Sequence, residues 1–171
     1  MLERTGVITS KGKPLTLLGP EIRVGGKAPD FRAVDGGLAP VTLSDFKGKI
    51  KIISSVPSLD TPTCDMETRR FNLEAAKLPD NVALITVSLD LPFAQKRWCA
   101  AAGVDKVKVL SDYQDRSFAD AYGVLIKELK LLSRSIFVID ADDVVRYIQH
   151  VRDMSTEPDY AEVLGAVKKL M

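Results

Sequence analysis

Ile50-Lys51-Ile52-Ile53-Ser54-Ser55-Val56 runs directly into Pro57-Ser58-Leu59-Asp60-Thr61-Pro62-Thr63-Cys64-Asp65, and this junction decides how the rest of the chain is read. The first half is a short apolar run of the kind found in central strands buried on both faces. The second half holds a helix start. Thr61 is a good N-cap and Pro62 suits the first helical position, which puts Cys64 third in the helix. Phe71, Ala75 and Leu78 continue at helical spacing, with Leu73 and Ala76 on the flank of the stripe, so the spacing predicts a helix from about Pro62 to Lys77. Glu67, Arg69, Arg70, Glu74 and Lys77 fill its polar positions, where Arg69 and Arg70 would pair with Glu67 and Glu74 at three- and four-residue spacing.

Downstream, the alternation repeats. Val82–Ser88 reads as a second buried strand, Pro92–Ala102 as a second helix, Val107–Leu110 as a third strand and Asp115–Tyr122 as a third helix. Strand–helix alternation implies parallel strands and an α/β fold. Ile136–Ile139 and Val144–Val151 read as an antiparallel pair across Asp140-Asp142-Asp143, and Asp159–Leu170 as a final helix with Pro158 near its start. Upstream, Val7–Thr9 and Leu15–Leu18 flank Lys11-Gly12-Lys13-Pro14 and predict an N-terminal β-hairpin. The turn-rich stretch from Gly19 to Gly48 leaves room only for short extended pieces around Phe31 and Val41–Leu43. The expected architecture is a mixed central sheet flanked by helices, in one domain spanning residues 1–171.

Composition narrows the function. A chain of 171 residues, 46% apolar and 27% charged, is ordinary for a folded protein, which argues against a disordered chain. Its net charge of +1 provides no field to attract nucleic acid or an anionic membrane surface. No run approaches the roughly 18 apolar residues of a membrane span, and the first twenty residues lack a signal peptide's apolar centre. The expectation is a cytoplasmic protein. Its two cysteines, Cys64 and Cys99, are too few for a disulfide framework, and in such a protein a pair is more often reduced, catalytic or redox-active.

Cys64 sits where an α/β fold presents ligand-facing loops, at the amide-rich start of a helix that favours negative charge. The helix start alone achieves little. Lowering a thiol pKa from about 8.5 to about 6 raises its ionised fraction at pH 7 roughly thirtyfold, but the accompanying fall in nucleophilicity takes back roughly tenfold. Rate therefore has to come from positioning the electrophile and stabilising charge on its leaving oxygen. Thr61 can offer a hydroxyl. Asp60, Asp65 and Glu67 work against a nearby anion, so a cation from elsewhere is required. Arg134, placed just before the apolar Ile136–Ile139 strand, is the better structural candidate than Arg69 or Arg70.

These residues resemble the thiol peroxidase group of atypical two-cysteine peroxiredoxins. The pattern Pro-x-x-x-Thr/Ser-x-x-Cys is matched by Pro57, Thr61 and Cys64, and Ser58–Cys64 followed by Thr68-Arg69-Arg70-Phe71-Asn72 is similar to the thiol peroxidase version. Ala28–Phe31, Leu43–Lys49, Phe93–Cys99, the Arg134 strand and Thr156–Tyr160 follow in the family's order, with Leu59 and Met66 as small departures. The resemblance implies a thioredoxin-like fold, a homodimer, and reduction of hydroperoxides with electrons from thioredoxin. It further implies that Cys64 is the peroxidatic cysteine, that Thr61 and Arg134 orient thiolate and peroxide, that Pro57 shields the site, and that Cys99 resolves a sulfenic acid on Cys64 as an intramolecular disulfide. With Cys64 in the first turn of one helix and Cys99 roughly 10 Å along the next, disulfide closure would require local unwinding.

The main alternative is a thiol-disulfide oxidoreductase or redox chaperone of the same fold. Such proteins rely on Cys-x-x-Cys, whereas positions 61 and 67 are Thr and Glu. A non-enzymatic domain stapled by Cys64 and Cys99 is a further possibility, disfavoured by a reducing compartment. No cofactor is expected. Gly25-Gly26-Lys27 lacks the rest of a phosphate loop, His150 has no companion at metal-ligand spacing and reads as structural, and the Asp140 turn lacks a calcium loop's spaced ligands. Trp98 reads as core packing beside Cys99.

Overall fold

A computed structural model describes residues 1–171. The central sheet has seven strands. In chain order they are β3 (Arg32–Val34), β4 (Pro40–Thr42), β5 (Ile50–Ser55), β6 (Val82–Ser88), β7 (Lys108–Ser111), β9 (Ser135–Ile139) and β10 (Val145–His150), arranged across the sheet as β10-β9-β5-β6-β7-β3-β4. β5, β6 and β7 are parallel, while β9, β10, β3 and β4 join antiparallel. The expected mixed central sheet is therefore present.

The apolar runs of β5, β6 and β9 arise because both faces of the sheet are covered. Ile53, Ile85, Phe137 and Ile139 join one core group, whereas their neighbours Ile52, Leu84, Ile136 and Val138 join the other. α1 (Pro62–Ala75), α2 (Pro92–Ala102) and α4 (Tyr160–Lys168) contribute to the second group through Phe71, Trp98 and Val163. α3 (Ser117–Tyr122) contributes Phe118 and Tyr122 to the first. No helix is long and apolar enough to cross a membrane.

The N-terminal hairpin is formed by β1 (Glu3–Ser10) and β2 (Lys13–Leu18). Unforeseen from sequence, its second strand also pairs with the two-residue β8 (Leu125–Ile126), giving a separate three-stranded sheet. Two helix starts move inward from expectation. α3 begins at Ser117 because Arg116 takes a left-handed φ of 50°, and Asp112 accepts the Phe118 and Ala119 N–H groups at 3.0 and 2.9 Å. α4 begins at Tyr160 with Asp159 as its N-cap, accepting from Glu162 N–H at 3.0 Å, so Pro158 precedes the helix and is not in its first turn. Lys51, buried in the central strand, is ion-paired with Asp143 in the β9–β10 turn.

Candidate active site

Three elements converge at the C-terminal end of β5. The chain leaves the strand at Val56, passes buried Pro57, and turns through Leu59 and Asp60 into α1. Asp90, just past β6, fixes that turn: its carboxylate accepts from Ser58 Oγ at 2.7 Å and from Leu59 N–H at 2.9 Å. Ser88 Oγ donates to the same carboxylate at 2.7 Å, and Gln95 of α2 donates to Ser88 Oγ at 2.9 Å. The loop carrying the cysteine is thus tied to the strand beside it and to the next helix.

Thr61 occupies the N-cap position and Pro62 the first turn, as the spacing predicts. The Thr61 hydroxyl does not cap, however. It donates to Ser58 O at 2.8 Å, which orients its lone pairs without spending them on the helix. Cys64 has 0% exposure and packs with Val56 and Leu59, with Trp98 and Val109 against them. A cavity of about 280 Å³ beside Cys99 includes Lys96 and Lys108. A second cavity of about 250 Å³, lined by Leu59, Asp60, Thr61, Pro62, Asp65 and Trp98, reaches the helix start and shares Leu59 and Trp98 with the thiol's packing group.

Arg134 supplies the cation. Its Nη1 donates to Cys64 Sγ at 3.2 Å and to Glu67 Oε2 at 2.7 Å, and its Nη2 donates to Met154 O at 2.9 Å. It is only 2% exposed, and its Nε has no partner within the chain. Glu67 corrects the sequence reading. It lies buried on the face that includes Cys64, Thr68 and Phe71, not on the polar side of α1, and its other oxygen accepts from Ser54 Oγ at 3.0 Å. Consequently Arg69 pairs with Asp65 at 3.0 Å and Arg70 with Glu74 at 3.2 Å, so Glu67 pairs with neither. Burial pushes the Glu67 carboxyl up to about 7, against the pull of Arg134 and Ser54. The spacing Cys64, Glu67, Thr68, Phe71 at i, i+3, i+4 and i+7 would have placed Glu67 inward had the charged type not outweighed it.

Cys99 lies in the last turns of α2, partly buried against the core group of Phe71 and Val104. Both cysteines are free. Burial pushes the Cys99 thiol up, favouring its protonated form. His150, whose Nδ1 lies 2.8 Å from Ser135 Oγ, is held within the fold, and burial lowers its pKa.

The Redoxin family profile matches residues 23–164. The chain belongs to the Redoxin family. This redoxin is 56% identical over 161 residues to a thiol peroxidase of Halalkalibacterium halodurans, covering 94% of this chain and 96% of that protein. It is 52% identical over 164 residues to a thiol peroxidase of Bacillus subtilis, covering 96% and 98%. The redoxin is therefore an oxidoreductase of the thiol peroxidase group. Among solved structures, it superposes on a peroxiredoxin-like protein from Aquifex aeolicus with a TM-score of 0.91 at 41% identity, covering 98% of both chains. A thiol peroxidase from Chromobacterium violaceum shares the fold, with a TM-score of 0.84 at 23% identity over 95% of both chains.

Proposed function

We propose that this redoxin reduces hydrogen peroxide and organic hydroperoxides at Cys64 and completes each turnover through a Cys64–Cys99 disulfide. The observation that carries the reading is the buried Arg134 guanidinium donating to Cys64 Sγ at 3.2 Å. A cation aimed at sulfur in a water-poor site stabilises a thiolate there and, as the reaction proceeds, the negative charge that develops on oxygen.

In the first step the Cys64 thiolate attacks the terminal peroxide oxygen. The S–O bond forms, the O–O bond breaks, sulfur loses two electrons and becomes a sulfenic acid, and the departing alkoxide or hydroxide takes a proton from solvent. Thr61 serves as acceptor for the peroxide O–H, since its own hydrogen is held by Ser58 O. Pro57, buried at the loop's start, excludes water from the thiol. The Cys99 thiol then condenses with the sulfenic acid, giving the disulfide and one water. An external dithiol restores both thiols. Thioredoxin as that dithiol, a homodimeric assembly and a cytoplasmic location belong to the same proposal and are supported by the family resemblance.

One equivalent of peroxide added to the reduced protein tests the cycle by mass spectrometry. The expected product has lost two protons and yields a linked Cys64–Cys99 peptide, and Cys64→Ser abolishes cumene hydroperoxide consumption with a thioredoxin system. Turnover that survives Cys64→Ser, or disulfide exchange without peroxide turnover, overturns the proposal and favours an oxidoreductase of the same fold.

A further inference from the structure

Each cysteine has a sequence neighbour that bonds to the other's neighbour. Trp98, beside Cys99, donates its indole N–H to Asp65 Oδ1 at 2.9 Å, and Asp65 is beside Cys64. The second oxygen of that carboxylate accepts from Arg69 Nε at 3.0 Å. Arg69 in turn lies 5.8 Å from the Trp98 ring centroid and reaches Ala102 O, the last residue of α2, at 3.5 Å. Trp98 packs against the group holding Cys64 and also against the group that Cys99 joins. It joins the packing group of Cys64 to the core group against which Cys99 also lies, and the Asp65 carboxylate pins it.

We propose that Asp65 is a positioning residue for disulfide closure: with Arg69 it holds Trp98 and the last turns of α2 in place, and release of this bridge sets how fast Cys99 reaches oxidised Cys64. The inference rests on the disulfide cycle proposed above. In the step concerned the S–S bond forms, the sulfenic S–O bond breaks, and oxygen leaves as water with its own hydrogen and that of the Cys99 thiol. The Cα atoms must come within about 7 Å for the bond to form, and Trp98, packed into the groups that hold the two cysteines, resists that approach while it stays pinned. While it holds, the sulfenic acid persists and a second peroxide can convert it to sulfinic acid. The bridge thereby divides Cys64 between recyclable and terminal oxidation.

Rapid mixing with peroxide, acid quench and mass spectrometry resolve sulfenic acid, disulfide and sulfinic acid over time. Asp65→Ala and Trp98→Phe each remove the bridge from a different side, and the second keeps an aromatic ring in the packing. Each is expected to raise the rate of disulfide closure about tenfold, the effect of one hydrogen bond to a charged group expressed as a rate. The double variant should gain no more than either single variant. Asp65→Asn, which retains an oxygen acceptor for the indole, should stay within about threefold of wild type. The peroxide concentration needed to convert half of Cys64 to sulfinic acid should rise with the closure rate. Unchanged or slower closure in both single variants overturns the proposal, as do additive gains in the double variant. If wild-type protein forms no Cys64–Cys99 disulfide in the same quench, the underlying cycle fails instead.

Discussion

At the scale of single residues, the site turns on one guanidinium shared between a thiol and a carboxylate, all three buried. Burial opposes the charge of Arg134, but Glu67 and Cys64 outweigh it and raise its pKa, so it stays a cation at any pH at which the fold survives. Replacing it with Met would leave Glu67 buried with no counter-charge, at a cost of about 3–5 kcal/mol in urea unfolding. Adding Glu67→Gln should return most of that stability. It should not return reactivity: both variants are expected to oxidise Cys64 at least about a hundredfold more slowly in stopped flow, because the donor to sulfur is gone. Glu67 also imposes a pH dependence. Its folded-state pKa is raised from 4.5 to about 7, so its contribution to stability is fully present below 4.5 and is lost as pH rises through about 7. Relative to wild type, Glu67→Gln should therefore gain about 3 kcal/mol between about pH 4 and about pH 8, measured by denaturant unfolding at each pH. Asp112, which burial pushes up to about 6, contributes with the same sign but is common to both proteins and cancels in the difference.

At the scale of elements, what was legible in the sequence divides along a physical line. β5, α1, β6 and α2 follow from local pattern, because apolar runs, an N-terminal proline and the left-handed Gly103 that ends α2 act within a few residues. β8 does not. Two residues carry no periodicity, and Leu125–Ile126 is a strand only because β2 lies alongside it. Arg134 could be picked out as a charge beside an apolar strand, and Glu67 lay on the stripe of Cys64, Thr68 and Phe71 but was masked by its charge, whereas Asp90 had no local signal because its role depends on Ser58 and Leu59, distant in sequence. The joint between the N-terminal sheet and the rest is similarly non-local. Gly123 ends α3 at a φ of 66°, a Cβ there would run into the Pro20 carbonyl, and Arg4 Nη2 donates to the Gly123 carbonyl. Gly123→Ala combines backbone strain with overpacking and should cost about 2–4 kcal/mol by thermal or urea unfolding, with the loss appearing first as hydrogen exchange in β1 and β2.

At the scale of the whole molecule, the site draws on widely separated stretches of chain: β5 and α1 supply the thiol, Asp90 its loop anchor, and Arg134 the charge, with Met154 receiving the far side of that guanidinium. No fragment shorter than nearly the full sheet brings these together, and the antiparallel pairing of β5 with β9 is what sets residues 64 and 134 side by side. Lys51 and Asp143 fasten the same strand to the β9–β10 turn. The complete enclosure of Cys64, beside a partly exposed Cys99, has a consequence outside peroxide chemistry. Bulky electrophiles, such as maleimide dyes or drug-like acrylamides, meet the outer sulfur, which burial keeps in its sluggish protonated form, and cannot reach the fully enclosed inner one. The fold thus offers such reagents one sulfur and hides the other, and a covalent probe selected against the reduced protein would mark Cys99 while leaving Cys64 unlabelled.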